Sequence, residues 1–293
     1  MACFCLIYTS MGLAVLLFTP RALKRAERLS ARSAARFLFA LRAMPFSLAV
    51  LVGIGICLPS YLWFEPESVE EHVSGACILL TCAGALELGI AVARSARAAL
   101  RSLRFFRDCR QSGRNRNELL VIESAQPFLA LAGVLRPRVV VSQGILRLLS
   151  AEELSVVLQH EDAHRSSRDN FKRLLAALNP VVPALERGWM RSAEYAADER
   201  AVAGDSRRAL ALASALVRVA RFGQQPAMSS AISFLGDPDD LPARVERLLA
   251  PPVPPVRDGM PWQSALVAAG VAVLALNAIT LRLVQSALES LVR

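Results

Sequence analysis

Apolar and polar residues are arranged along this chain in long blocks. Four runs are almost wholly apolar: Ala2 to Thr19, Pro45 to Phe64, Gly75 to Ala93 and Trp262 to Leu283. Each is near the roughly 20 residues that a helix needs to cross a hydrocarbon core. The segments between them differ in charge. Residues 20–44 carry seven basic side chains (Arg21, Lys24, Arg25, Arg28, Arg32, Arg36, Arg42) against Glu27, and residues 94–116 carry eight arginines. The segment after the second run holds Glu65, Glu67, Glu70 and Glu71 and no Lys or Arg. Basic flanks stay on the cytoplasmic side, so the pattern predicts both termini outside and residues 94–260 in the cytoplasm. The first run has neither a basic leader nor a small-residue cleavage site and is expected to remain as a span. Residues 20–44 read as a cytoplasmic loop able to lie on anionic lipid. The third run is expected to continue as helix through Phe106. It contains Glu87, an acid within an apolar span and therefore a candidate for a specific role.

Between residues 111 and 250 the pattern shortens to the periods of a folded domain. Leu119–Glu123 and Arg138–Ser142 read as strands, the second bounded by Pro137 and Gly144. Val139, Val140 and Val141 in that strand are candidates for a sheet edge that pairs with an extended peptide. Ser150 and Glu153 form a capping box, which starts a helix at Ala151. Helix continues over Phe171–Leu178 and is broken by Pro180 and Pro183. A further helix through Ser192–Arg200 ends at Gly204, and Ser206 is placed to cap Arg207–Phe222. Pro242 opens a short helix to Leu249, with Arg244 and Arg247 on its polar side. Ala250–Val256 (Ala-Pro-Pro-Val-Pro-Pro-Val) is a stiff polyproline-type spacer. The expected architecture is mainly α, with four transmembrane helices and a cytoplasmic α+β domain. Its parts are a three-span region (1–110), the folded domain (111–250), a Pro-rich linker (251–261) and the fourth span with a short tail (262–293).

Composition agrees with a membrane protein: 54% of the 293 residues are hydrophobic, too many for an ordinary soluble chain. The net charge of +9 comes almost wholly from arginine, since Lys24 and Lys172 are the only lysines. Those arginines cluster beside apolar runs, so membrane topology accounts for them and no nucleic-acid partner is expected. Five of the six cysteines lie in or beside apolar runs, which excludes a secreted disulfide framework.

The chemistry concentrates in Leu158-Gln159-His160-Glu161-Asp162-Ala163-His164, an H-E-x-x-H sequence on the capped helix. Two histidines one helical turn apart project from one face and can grip one Zn²⁺. Glu161 lies about 100° round the same helix, where it can act as general base toward a water that the metal polarises. A third ligand is needed. His72 lies near the membrane runs and is a poor candidate, and the cysteines are poorly placed, so elimination leaves a carboxylate. Glu194 and Asp198, at i and i+4, share a helix face: one can bind metal while the other orients a histidine. Spacing does not say which, and a solvated charged face would look the same.

The order His160-Glu161-x-x-His164, Asp169, Asn179-Pro180, Glu194-x-x-Ala197-Asp198 resembles the membrane zinc metallopeptidases of the BlaR/MecR (beta-lactam receptor) type. These are gluzincin-like and distantly similar to heat-shock and CAAX-processing membrane proteases. Upstream, Pro127 to Ser142 is similar to the strand before that family's metal helix. The resemblance spans about residues 118–250 and implies a zincin-like domain. It implies one zinc per chain held by His160, His164 and Glu194, with Glu161 as base and Asp198 behind the ligands. It further implies a bacterial cytoplasmic membrane, a protein or peptide substrate, and a repressor-type regulator as target. The sequence departs from the receptors in one respect. Neither lysine has a serine three residues before it, and ten residues follow Leu283, so an external beta-lactam sensor domain is not expected. The expected activity is endopeptidase cleavage of membrane or membrane-recruited regulatory proteins in signalling. The alternative is a non-enzymatic receptor or scaffold with a degenerate protease fold. No signal for an oligomeric state is present.

Overall fold

Three long apolar helices come first. They are α1 (Ala2–Ala26), α2 (Ala31–Val52, continued by a π-turn over Gly53–Cys57) and α3 (Gly75–Ser112). The computed structural model describes residues 1–59, 74–116, 119–222 and 238–250. Among these, three helices are long and apolar enough to cross a membrane. The expected fourth span, the Pro-rich linker, the acidic segment after Pro59 and His72 all lie outside the described residues.

The expected loop over residues 20–44 is instead helical. α1 runs on to Ala26, and a short turn leads directly into α2. Leu29 N–H closes that turn on Ala26 O at 3.0 Å, and the Ser30 side chain caps α2 by accepting from Ser33 N–H at 3.3 Å. Arginine has good helix propensity, so a basic segment between two apolar helices extends them. Pro45 therefore lies inside α2 rather than at the start of a span. α3 passes the expected end at Phe106 and reaches Ser112. Its 38 residues extend about 57 Å at 1.5 Å per residue, nearly twice a hydrocarbon core of about 30 Å. The arginine-rich half thus lies beyond the apolar half.

That half carries a four-stranded sheet: β1 (Gly113–Arg116), β2 (Leu119–Ile122), β3 (Leu129–Ala132) and β4 (Arg138–Ser142), in the order β1-β2-β4-β3. β2 and β4 are parallel; the other pairs are antiparallel. β4 is therefore an interior strand, which overturns the expectation that Val139, Val140 and Val141 form an edge for an extended peptide. The physical reason is in the run itself. Successive side chains point to opposite faces, and both faces are covered. Val139 and Val141 pack with Ile145, Val157 and Leu216, while Val140 packs with Phe128 and Ala130, against Phe105 and Phe106 of α3. An unbroken apolar run is what a strand buried on both faces shows. β3 is the edge on that side.

The remaining helices are α4 (Gln143–Leu148), α5 (Ala151–Ser167), α6 (Asp169–Ala176), α7 (Pro183–Val202), α8 (Ser206–Phe222) and α9 (Leu241–Leu249). α5 does not continue smoothly into α6: Arg168 adopts a left-handed conformation (φ 55°) and re-aims the chain. α8 is capped by Asp205, not Ser206. The Asp205 carbonyl accepts from Ala209 N–H at 2.9 Å and its carboxylate from Arg207 N–H at 2.8 Å. α5 and α8 pack on one sheet face to form the main core. A second core joins α7 to the membrane helices, with Trp189, Leu185 and Val182 against Leu38, Ala34, Ala22 and Val15. Gly188 permits that approach, since a Cβ there would stand 2.4 Å from Leu23 Cδ2.

Candidate metal centre

α5 is fixed before it reaches the site. Ser150 and Glu153 make both halves of the capping box, at 3.2 and 2.8 Å. The second oxygen of Glu153 accepts from Ser214 at 2.7 Å, which ties the cap to α8. Two turns on, His160, Glu161 and His164 are all buried. α7 crosses behind them and presents Glu194 and Asp198, also buried.

The donor atoms form a small triangle. His160 Nε2 and His164 Nε2 are 3.1 Å apart, and Glu194 Oε2 lies 3.4 Å from the first and 3.6 Å from the second. Tetrahedral zinc with bonds of about 2.0–2.1 Å requires ligand atoms about 3.4 Å apart. These three side chains therefore fit one such ion, and Glu194 Oε2, buried, also faces the Arg244 guanidinium at 3.2 Å. The far side of each imidazole faces a carboxylate. His160 Nδ1 lies 2.9 Å from Asp198 Oδ1, and His164 Nδ1 lies 2.8 Å from Asp169 Oδ2. Carboxylates on Nδ1 hold the proton there and leave the Nε2 lone pairs facing inward.

Two residues of this arrangement were not read from the sequence as part of it. In the sequence Asp169 is a motif position only, and the left-handed turn at Arg168 is what brings it back onto His164. Arg244, expected on the polar side of its helix, is 1% exposed. Its guanidinium grips Asp198 through Nε (2.8 Å) and Nη2 (2.7 Å), and Nη1 lies 3.2 Å from Glu194 Oε2. A buried arginine between two buried carboxylates supplies the charge that keeps both ionised. Tyr195 points elsewhere, with Arg247 stacked over its ring at 4.8 Å.

Electrostatics favour a cation at the triangle. Burial opposes charge on His164, but Glu194 and Asp169 outweigh it and raise its pKa to about 10. Burial likewise opposes charge on His160, and Asp198 and Glu194 reverse the balance upward. Glu194 is held well below the usual carboxylate range: burial pushes it up, but His164, His160 and Arg244 prevail. Glu161 behaves in the opposite way, since burial lifts its carboxyl above the usual value against the pull of the histidines. A narrow cleft opens here, lined by Leu131, Glu161, His164, Asp169, Asn170, Arg173 and Glu194. The β3 edge reaches it: Asn170 Nδ2 donates to Leu131 O at 2.9 Å and to Gly133 O at 2.8 Å.

The family model of the BlaR1 peptidase M56 matches residues 73–248, well over half of the chain and every element from α3 into α9. The chain belongs to the BlaR1 peptidase M56 family. As an M56 member it is a metalloprotease-family hydrolase, and its three apolar helices agree with a transmembrane protein. In this M56 chain the H-E-x-x-H helix, Glu194, Asp198 and Arg244 all fall inside the matched residues. No curated protein and no solved structure matches the chain.

Proposed function

We propose that this chain is an integral-membrane zinc endopeptidase that cuts membrane or membrane-recruited regulatory proteins at the cytoplasmic face, with both termini outside. The observation that carries the reading is the triangle of His160 Nε2, His164 Nε2 and Glu194 Oε2 with sides of 3.1, 3.4 and 3.6 Å. These residues would hold the ion. Bound there, zinc supplies a Lewis acid that polarises a peptide carbonyl and acidifies a water. Glu161 takes the proton of the attacking water and passes it to the leaving amine; its raised pKa suits both tasks. Asp198 and Asp169 keep the two imidazoles aimed. Arg173, a cation lining the cleft beside Glu161, is placed to meet negative charge developing on the carbonyl oxygen.

β3 rather than β4 is the sheet edge on the cleft side; its residues are buried and Leu131 O already accepts from Asn170 Nδ2, so no strand pairing is assigned to the substrate. Ser142 N–H bonds Phe128 O at 2.9 Å, so by antiparallel alternation the peptide groups of Leu129 and Leu131 face away from β4. That edge leads into the cleft. The domain expected over residues 111–250 shares the Trp189 core with α1 and α2, which supports a site close to the bilayer and substrates presented there. A repressor-type regulator is one such target. Incubating the purified full chain and Glu161→Ala with zinc and a broad protein substrate tests the activity. Cleavage, of the substrate or of the chain itself, is expected only in the unmodified protein. Equal cleavage by both would contradict the role of Glu161. Full zinc loading without cleavage of any substrate would favour the non-enzymatic receptor.

A further inference from the structure

Helix α6 is fastened at both ends, and to different parts of the molecule. Its first turn serves the metal centre: Asp169 meets His164 at 2.8 Å, and Asn170 clamps the β3 edge. The residues at its other end are bonded to all three membrane helices. Tyr8 of α1 donates to Leu178 O at 2.9 Å. Ser95 of α3 donates to Leu174 O at 3.2 Å, and Arg94 of α3 donates to Asn179 O. From α2, Phe46 N–H donates to Asn179 Oδ1 at 2.9 Å. Phe46 follows Pro45, which has no N–H and opens the helix ladder at that point. Asn179 is 1% exposed, and its Nδ2 returns to Leu175 O at 3.2 Å, so one side chain joins α2 just after Pro45 to the last turn of α6. Pro180 packs on α1, where a Cβ at Gly12 would stand 3.0 Å from its Cγ.

We infer that Asn179 is a positioning residue: by locking α6 to α2 at the Pro45 position, it makes the arrangement of the membrane helices set the aim of His164 and the place of the β3 edge. α6 has only eight residues, about 12 Å at 1.5 Å per residue, so a tilt at one end reappears at the other. His160 is linked differently: its carboxylate comes from α7, which meets α1 and α2 through the apolar Trp189 core rather than through hydrogen bonds to one short helix. The catalytic consequence rests on the peptidase reading, whereas the mechanical joint does not.

The test uses the full chain in lipid nanodiscs, as wild type, Asn179→Ala, Pro45→Ala and the double variant. Amide hydrogen exchange at residues 129–132 and 169–176 is read without metal. Zinc release to a chelator, kcat and KM are read after loading. Each single variant removes the Phe46–Asn179 bond, Asn179→Ala together with the Nδ2 bond to Leu175 O, and Pro45→Ala by closing the α2 ladder over Phe46. Each is expected to speed exchange in both segments about tenfold. Zinc release should accelerate about tenfold, and kcat should fall with KM little changed. The double variant should be no worse than either single one. Unchanged exchange in folded Asn179→Ala, or single effects that multiply in the double variant, would overturn the inference. Should Asn179→Ala not fold, Pro45→Ala carries the test alone, and unchanged exchange in both segments of that variant would overturn the inference. A wild type that takes no zinc would contradict the peptidase reading, and the exchange data would still decide the joint.

Discussion

The two histidines look equivalent in the sequence and are supported quite differently. His160 is backed by Asp198, which a buried bidentate arginine from α9 holds in turn. His164 is backed by Asp169, whose other oxygen takes a half-exposed lysine, Lys172, at 2.9 Å. The first support is hydrogen-bonded within the folded domain and sealed from water, and α7, which carries it, packs on α1 and α2 through the Trp189 core. The second stands on α6, whose far end is bonded to the membrane helices. One imidazole thus meets the membrane helices through the apolar packing of α7, and the other through the hydrogen-bonded joint of α6.

The largest effect is expected at the sealed side. Arg244→Met leaves Asp198 and Glu194 as buried carboxylates without their cation, a loss of about 3–5 kcal/mol. Chemical denaturation should show it, and Arg244→Lys should recover little, because an ammonium cannot reproduce the two-pronged grip. Next come the carboxylates. Asp198→Asn and Asp169→Asn should each weaken zinc binding about 10–100-fold, with Asp198→Asn the more severe, as measured by competition with a chelating dye. An equal loss would blur the contrast between the two supports.

The pH response sharpens it further. Without metal, the folded-state pKa of His164 is raised from 6.5 to about 10 by its carboxylates, against burial. A raised pKa contributes stability that is fully present below pH 6.5 and lost as pH rises through about 10. The metal-free protein should therefore lose stability on going alkaline. Zinc must displace that proton, so zinc affinity should rise over the same interval. Denaturation midpoints with and without zinc, followed from pH 6.5 to 10, should diverge. The smallest effect concerns the α5 cap, remote from both histidines. Burial works against the Glu153 carboxylate, but Ser214, Ser150 and Arg218 hold its pKa low. Its contribution is present at neutral pH and lost as pH falls through that lowered value. Glu153→Ala should cost about 1 kcal/mol at pH 7 and less in strong acid.

Features that depend on positions within one helix were legible in the sequence. His160, Glu161 and His164 share a helix, as do Glu194 and Asp198, and 3.6-residue geometry fixes which of them share a face. The capping box at Ser150 is equally local. Features made between distant segments were not. Arg244 lies 46 residues beyond Asp198, and a lone arginine on a short amphipathic helix has the same local pattern whether it meets water or a buried carboxylate. Asp169, five residues after His164, would lie about 140° round a continuous helix, and the left-handed turn at Arg168 brings it back to the imidazole. The run Val139-Val140-Val141 was informative in the other direction: three successive apolar residues mark an interior strand, and the edge belonged to the less conspicuous Leu129–Ala132.

The most direct test of the central claim is metal stoichiometry in the full chain, purified without chelators. The unmodified protein is compared with His160→Ala, His164→Ala, Glu194→Ala and Glu161→Ala. One zinc per chain is expected in the unmodified protein and in Glu161→Ala, and near-complete loss in the other three. Retention of zinc by Glu194→Ala would contradict the ligand set, and absence of zinc from the unmodified protein would contradict the metallopeptidase reading itself.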